Sequence, residues 1–247
     1  MLWLILIYSV LVGFSIGLMG MGGVFLTPVL ILIMDLSLSE IMGTVLLSFT
    51  ATGMMGSLMY HRRGNIDWSA ALLLGSFSAL GSIFGASTNL ALDEEILKTI
   101  LGLFLAAIGV FTLLRHKFTL TLGGFNNIES AVFSVIIFSL TGLGVGFASG
   151  LLGVGGPVLL VPLLVAAGWP ILLAVGVSQV VSVFASLAGA AGYLQAGSLS
   201  PLLAFWLAGG QLIGVVCGSI SAHSLPENKI KILLGTALIF LGFYFTV

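Results

Sequence analysis

Residues 13–23 and 146–156 carry the same glycine pattern twice, and the register between them holds across the whole chain. Gly13-Phe14-Ser15-Ile16-Gly17-Leu18-Met19-Gly20-Met21-Gly22-Gly23 returns as Gly146-Phe147-Ala148-Ser149-Gly150-Leu151-Leu152-Gly153-Val154-Gly155-Gly156, an offset of 133. Gly43 and Gly176, Gly56 and Gly189, Tyr60 and Tyr193, Gly81 and Gly214, and Gly85 and Gly218 keep that offset. One residue is inserted after the second double glycine, so Pro28 matches Pro162, and the register is restored before Gly43. The chain is thus two copies of one unit, read as a first repeat 1–117, a linker 118–127 and a second repeat 128–247. Whatever one half folds into, the other must repeat.

Composition then says in what medium. The chain is 59% hydrophobic and 6% charged, with seven Lys and Arg and eight Asp and Glu in all. A soluble domain of this size needs far more charge on its surface, so the chain is read as an all-α polytopic membrane protein. A net charge of −1 provides no basic stripe for nucleic acid. The lone Cys217 allows no internal disulfide, and no metal-ligand cluster or P-loop occurs in the sequence.

Crossing the hydrocarbon takes about 20 apolar residues. Runs 38–60, 68–90 and 96–114 meet that length in the first half, with 171–193, 199–223 and a shorter 230–245 in the second. Each half also opens on an awkward element. Residues 2–19 meet a glycine interruption at 20–23 and then only 24–35; residues 128–149, 153–156 and 157–168 repeat the design. A dozen residues at about 1.5 Å each fall short of the bilayer, so a broken hairpin that enters and returns is favoured over a full crossing.

Basic residues set the direction. The loop after Tyr60 carries His61-Arg62-Arg63, whereas its counterpart 194–200 is uncharged. Conversely Leu92-Asp93-Glu94-Glu95 is acidic, while 225–231 holds Lys229 and Lys231. Equivalent loops with opposite bias belong on opposite faces, which makes the repeats inverted and sends both termini outward from a cell membrane. Each half is then a Gly-broken opening element plus three long transmembrane helices.

A duplicated apolar chain broken by glycine in matching places points to a secondary transporter's binding site. The restarted helices after Gly20, Gly22, Gly23 and after Gly153, Gly155, Gly156 aim free N–H groups and positive dipole ends back at the breaks. Two such loops meeting at the midplane would cradle a small anion without any basic side chain. Spans that follow carry Thr44, Ser48, Thr50 and Thr52, and Ser178, Gln179, Ser182 and Ser186; Thr44, Ser178 and Gln179 are the expected additional donors to the ligand. Asn89 and Gln211 are expected to join helices, and the pairs Gly13/Gly17, Gly81/Gly85, Gly146/Gly150 and Gly214/Gly218 to serve close packing.

GMGGVFLTP and GVGGPVLLVP, each followed by a span opening at Gly43-Thr44 or Gly176-Val177-Ser178, resemble the TauE/SafE sulfite-exporter family. Tyr60-x-x-x-Gly64-x-Ile66 and Tyr193-x-x-x-Gly197-x-Leu199 are similar to that family's pattern, and the resemblance spans essentially the whole chain. It implies a permease for small sulfur-containing anions such as sulfite or organosulfonates. The second repeat departs from the first in having Val177 where the first has Thr44. The expected partners are a small anionic substrate and the lipid bilayer, with no cofactor and no catalysis. A proton or sodium coupling ion, assembly as a homo-oligomer and a passive anion channel stay open. An intramembrane hydrolase built on Ser149 and His223 is set aside because no GxSG occurs there.

Overall fold

The computed structural model describes residues 2–20, 22–114, 131–222, 240 and 242–243. Among them there is no strand. The chain runs α1 Leu2–Met19, a 3-10 turn Gly22–Phe25, α2 Leu26–Ile33, α3 Leu38–His61, α4 Trp68–Ala91, α5 Glu94–Leu114, α6 Ala131–Leu152, α7 Pro157–Ala166, α8 Ile171–Gln195 and α9 Pro201–Ser221. Helices α3, α4, α6, α8 and α9 are long and apolar enough to cross a bilayer. The 118–127 linker, the basic residues Arg115, Lys117, Lys229 and Lys231, and all of the 230–245 span except residues 240, 242 and 243 lie outside the described residues.

Caps fix where the long helices of the first half begin. Ser37 accepts from the Glu40 N–H at 3.2 Å and Asp67 from the Ala70 N–H at 3.1 Å, each satisfying an orphan donor of a first turn. Glu94 at the start of α5 accepts from the Leu38 N–H at 3.2 Å, which pins that end of α5 to the start of α3.

The opening elements are hairpins. After α1 the chain reverses: Gly22 packs on Val12, Ser15 and Ile16 of α1, and the Tyr8 hydroxyl donates to the Phe25 carbonyl at 2.8 Å. α2 therefore runs back toward the end where α1 began. In the second half Trp169, just past α7, stacks edge-on with Phe138 near the start of α6 at 6.2 Å, so α7 also returns. The two restarts differ. Pro157 is the inserted residue of the second repeat, and α7 begins on it, as a residue with fixed φ and no N–H suits a first helical position. The first half has no such proline and restarts through the 3-10 turn.

Packing follows the repeat residue by residue. α1 lies along α9 and α6 along α4. A Cβ at Gly13 would meet the Gln211 carbonyl, and one at Gly146 the Ser78 carbonyl, which are equivalent contacts. Gly17 against Val215 matches Gly150 against Ser82, and Gly81 against Leu143 matches Gly214 against Val10. Lipid tails give helices no hydrophobic reason to associate, so this backbone-to-backbone approach supplies the contact. The Tyr60 hydroxyl donates to the Gly17 carbonyl at 3.0 Å and Tyr193 to Gly150 at 2.8 Å, again the same bond twice.

α3 and α8 form the centre, and they run antiparallel. Gly43 at the start of α3 faces Tyr193 and Ser198 at the end of α8, Gly56 faces Gln179, and Gly176 at the start of α8 faces Asn65 beyond α3. The 62–67 and 196–200 loops accordingly sit at opposite ends of the bundle. The first end holds Arg62, Arg63 and Asp67; the second holds Asp35, Glu40, Asp93, Glu94, Glu95 and Lys98.

Candidate functional site

Halfway along α3 and α8, the two glycine loops close on one cavity. Its walls are Ile16, Gly20 and Gly23 from the first hairpin, Phe49, Thr52 and Gly53 from α3, Val154, Gly155, Pro157 and Val158 from the second loop and α7, and Gln179 and Ser182 from α8. About 240 Å³ of space lies among these residues, part of it open to the outside.

Phe49 holds the centre. A Cβ on Gly23 would come within 2.8 Å of its ring and one on Gly155 within 3.1 Å, so both loops touch one aromatic side chain. The loops turn through left-handed residues, Gly20 at φ +77°, Gly153 at φ +62° and Gly155 at φ +76°, where a side chain is strained. They are also tied across the repeats, since the Thr27 hydroxyl of α2 donates to the Gly153 carbonyl at 2.7 Å. Its repeat mate Val161 lies against Gly20 instead.

Among the described residues no ionisable side chain lines the cavity. Its polarity comes from the backbone, the Gln179 amide and the hydroxyl residues Thr52 and Ser182. Pro157 and Val158 of the first turn of α7 line the cavity, so the positive end of that helix, where the Val158 and Leu159 N–H groups have no helical acceptor, lies at its wall. The Gln179 Nε2 donates to the Ile16 carbonyl at 3.3 Å, and its Oε1 is buried with no partner. An anion at this wall meets the α7 helix end, and takes the Gln179 Nε2 only in exchange for the Ile16 carbonyl.

The expected site residues divide. Gly20, Gly23, Gly155 and Gln179 line the cavity. Gly22 packs on α1, Gly153 is held by Thr27 and lies against Met42, and Gly156 borders Ser182 without reaching the cavity wall. Thr44 is elsewhere: its hydroxyl donates to Glu40 at 2.7 Å and accepts from the Ser200 N–H at 2.9 Å, joining α3 to the start of α9. Ser178 donates to Val175 of its own helix at 2.8 Å. Phe49 was not among the expected residues, although the repeat register carries the signal: it is the mate of Ser182, and a ring opposite a hydroxyl marks the place where the two halves stop being alike.

Gln211 and Asn89 join helices as expected. Thr52 donates to Gln211 Oε1 at 2.6 Å and Gln211 donates to Ser48 at 3.1 Å, linking α3 with α9. Asn89 donates to the Leu151 carbonyl at 2.7 Å and accepts from Ser39 at 2.8 Å. Among the described residues no group of His, Cys, Asp and Glu is arranged to hold a metal.

A helical bundle that spans the bilayer and brings two interrupted helical hairpins to a common central cavity has the build of a membrane transporter. Comparison with known proteins agrees: residues 5–245 match the family described as Sulfite exporter TauE/SafE, and the chain belongs to that family. The Probable membrane transporter protein YdhB of Bacillus subtilis (strain 168) is 26% identical over 242 residues, which is 95% of this chain and 94% of the relative. A probable membrane transporter protein of Methanocaldococcus jannaschii is 29% identical over 206 residues, 79% of this chain and 74% of that one. One from Haemophilus influenzae is 28% identical over 239 residues, 92% of this chain and 86% of the relative. No solved structure matches the chain at a significant level.

Proposed function

We propose that this protein is a secondary carrier for a small sulfur-containing anion, sulfite or an organosulfonate, bound between the two glycine loops. The observation that carries the reading is the meeting of both loops at Phe49 beside the Gln179 amide, in a cavity without an ionisable side chain. A helix end contributes up to about 2 kcal/mol to a partly buried anion, so the α7 end and an amide suit millimolar to micromolar affinity once desolvation is subtracted. That range allows both capture and release. A buried Arg or Lys would hold the ligand more tightly and would itself be costly to insert.

A carrier fits better than an open channel because the loops of both halves close on the cavity at Phe49. Transport then requires the bundle to open toward each side in turn, and two antiparallel, equivalent halves are suited to exchanging conformations. The end with Arg62 and Arg63 is read as cytoplasmic and the end with the 196–200 loop as external.

Purified protein in detergent should be thermally stabilised by its ligand in a panel of sulfite, thiosulfate, taurine, sulfoacetate and sulfate. At about 100 times Kd the stabilisation approaches 2.7 kcal/mol. Gln179→Leu should keep the fold and weaken binding of that ligand about tenfold, the cost of one hydrogen bond to a charged group. Stabilisation by cations alone, or equal stabilisation of wild type and Gln179→Leu, contradicts the proposal.

A further inference from the structure

The cavity is lopsided, and the repeat says what its missing half is made of. Applying the offset of 133 to the wall residues Ile16 and Gly53 gives Ser149 and Ser186, and applying it in reverse to Gln179 gives Leu46. Val215, which contacts Gly17 beside that wall, has Ser82 as its mate. On one side of Phe49 and Ser182, therefore, a glutamine amide faces a cavity. On the other, three serines stand where the first side has Ile, Gly and Val.

Those three serines, together with Ser57 farther along α3, are unusual in this bundle. Ser9, Ser48, Ser78 and Ser178 each donate to a carbonyl of their own helix at 2.7–2.8 Å, the ordinary way to bury a hydroxyl in a membrane helix. The hydroxyls of Ser82, Ser149 and Ser186 are fully buried and have no partner at all. They also belong together. A Cβ on Gly189, one turn beyond Ser186 on α8, would meet the Ser82 Oγ of α4 at 2.5 Å and the Gly150 Cα of α6 at 3.7 Å, and Ser149 is the neighbour of Gly150. Gln179, Ser182 and Ser186 fall at i, i+3 and i+7 on one face of α8. The polar face thus continues from the cavity toward the end that carries the 196–200 loop. Leu46 Cδ1 lies over Gly189, as Gln179 lies over Gly56 on the open side.

We propose that Ser82, Ser149 and Ser186 form a second oxyanion subsite, closed here by Leu46. The subsite receives the ligand when the two halves exchange conformations. This rests on the carrier reading above. Three O–H donors from three helices match the oxygens of a small oxyanion, and their lack of charge lets it leave. The passage then has two stations: Gln179 on the side of the Arg62 loop, and the serines on the side of the 196–200 loop.

Single cysteines in place of Ser149 and Ser186, in a Cys217→Ser background, test the opening in vessels of known sidedness. Ala196→Cys and Arg62→Cys mark the two faces for a membrane-impermeant thiol reagent. Both buried cysteines should react from the Ala196→Cys face only, whatever the substrate. Failure to react from either face, or reaction from the Arg62→Cys face, overturns the subsite. Sulfite flux by the Ser149→Ala, Ser186→Ala double variant should fall at least tenfold with an unchanged melting temperature, and wild-type flux in that variant overturns its role in binding. Absence of sulfite flux in the wild type would overturn the substrate reading instead, with the labelling pattern still deciding whether the subsite opens.

Discussion

Gly153 and Gly156 lie three residues apart in the same loop and should answer an added methyl group in opposite ways. At Gly153 the backbone is left-handed, φ +62°, and a Cβ would come within 2.8 Å of the Met42 backbone. At Gly156 the nearest atoms are 3.6 Å away, in ordinary contact. Gly153→Ala should therefore cost about 1–3 kcal/mol of stability and Gly156→Ala less than about 0.5, read from thermal unfolding in detergent. Equal melting temperatures would refute the strained turn. Residues of this kind were legible in the sequence as a group but not one by one. The glycine pattern marks the loop; which glycine faces the cavity depends on neighbours from α1, α3 and α8. Thr44 and Ser178 illustrate the same gap, because a hydroxyl in a helix reads alike whether it serves a ligand, a neighbouring helix end or its own backbone.

At the scale of elements, the contacts of α6 with α4 and of α1 with α9 rest on small residues at fourfold spacing. Gly150 has the Ser82 backbone against it, whereas Gly144, six residues earlier on α6, has nothing within 4 Å. Leucine at Gly150 should drive α6 off α4 and sharply reduce the yield of folded protein, and leucine at Gly144 should leave it little changed; size-exclusion profiles after extraction separate the two. Similar profiles for both would mean that α6 does not depend on that close approach. Here the sequence was informative because packing in lipid uses a backbone-level signature that repeats every turn. Expected spans 38–60, 68–90 and 171–193 stand as Leu38–His61, Trp68–Ala91 and Ile171–Gln195. The opening span of the second half, expected to end at 149, runs on to Leu152, because nothing in the apolar run before Gly153 marks its last turn; its expected start at 128 lies outside the described residues. The 3-10 restart at Gly22–Phe25 escaped notice, since only the comparison with Pro157 distinguishes it from a plain helix start.

For the whole molecule, the antiparallel pairing of α3 with α8 has a consequence for sidedness. Cysteines at Arg62 and Ala196 should label from opposite faces of the membrane, and labelling from one face would contradict the arrangement of the two halves. Loop charge alone pointed to this opposition in the sequence, while the place where the halves meet was not readable, because it is set by Phe49 and Ser182 breaking the repeat at its own centre. The central claim is that both glycine loops guard one shared, alternately opened passage for a small sulfur anion. Sulfite counterflow in proteoliposomes tests it most directly, comparing wild type with a Gly23→Leu, Gly156→Leu double variant, whose added side chains crowd Phe49 from the first loop and Ser182 from the second. The account predicts saturable uptake accelerated by sulfite on the far side, abolished in the double variant while the protein remains folded and inserted. Unsaturable flux indifferent to far-side sulfite, or wild-type counterflow in the double variant, would contradict it.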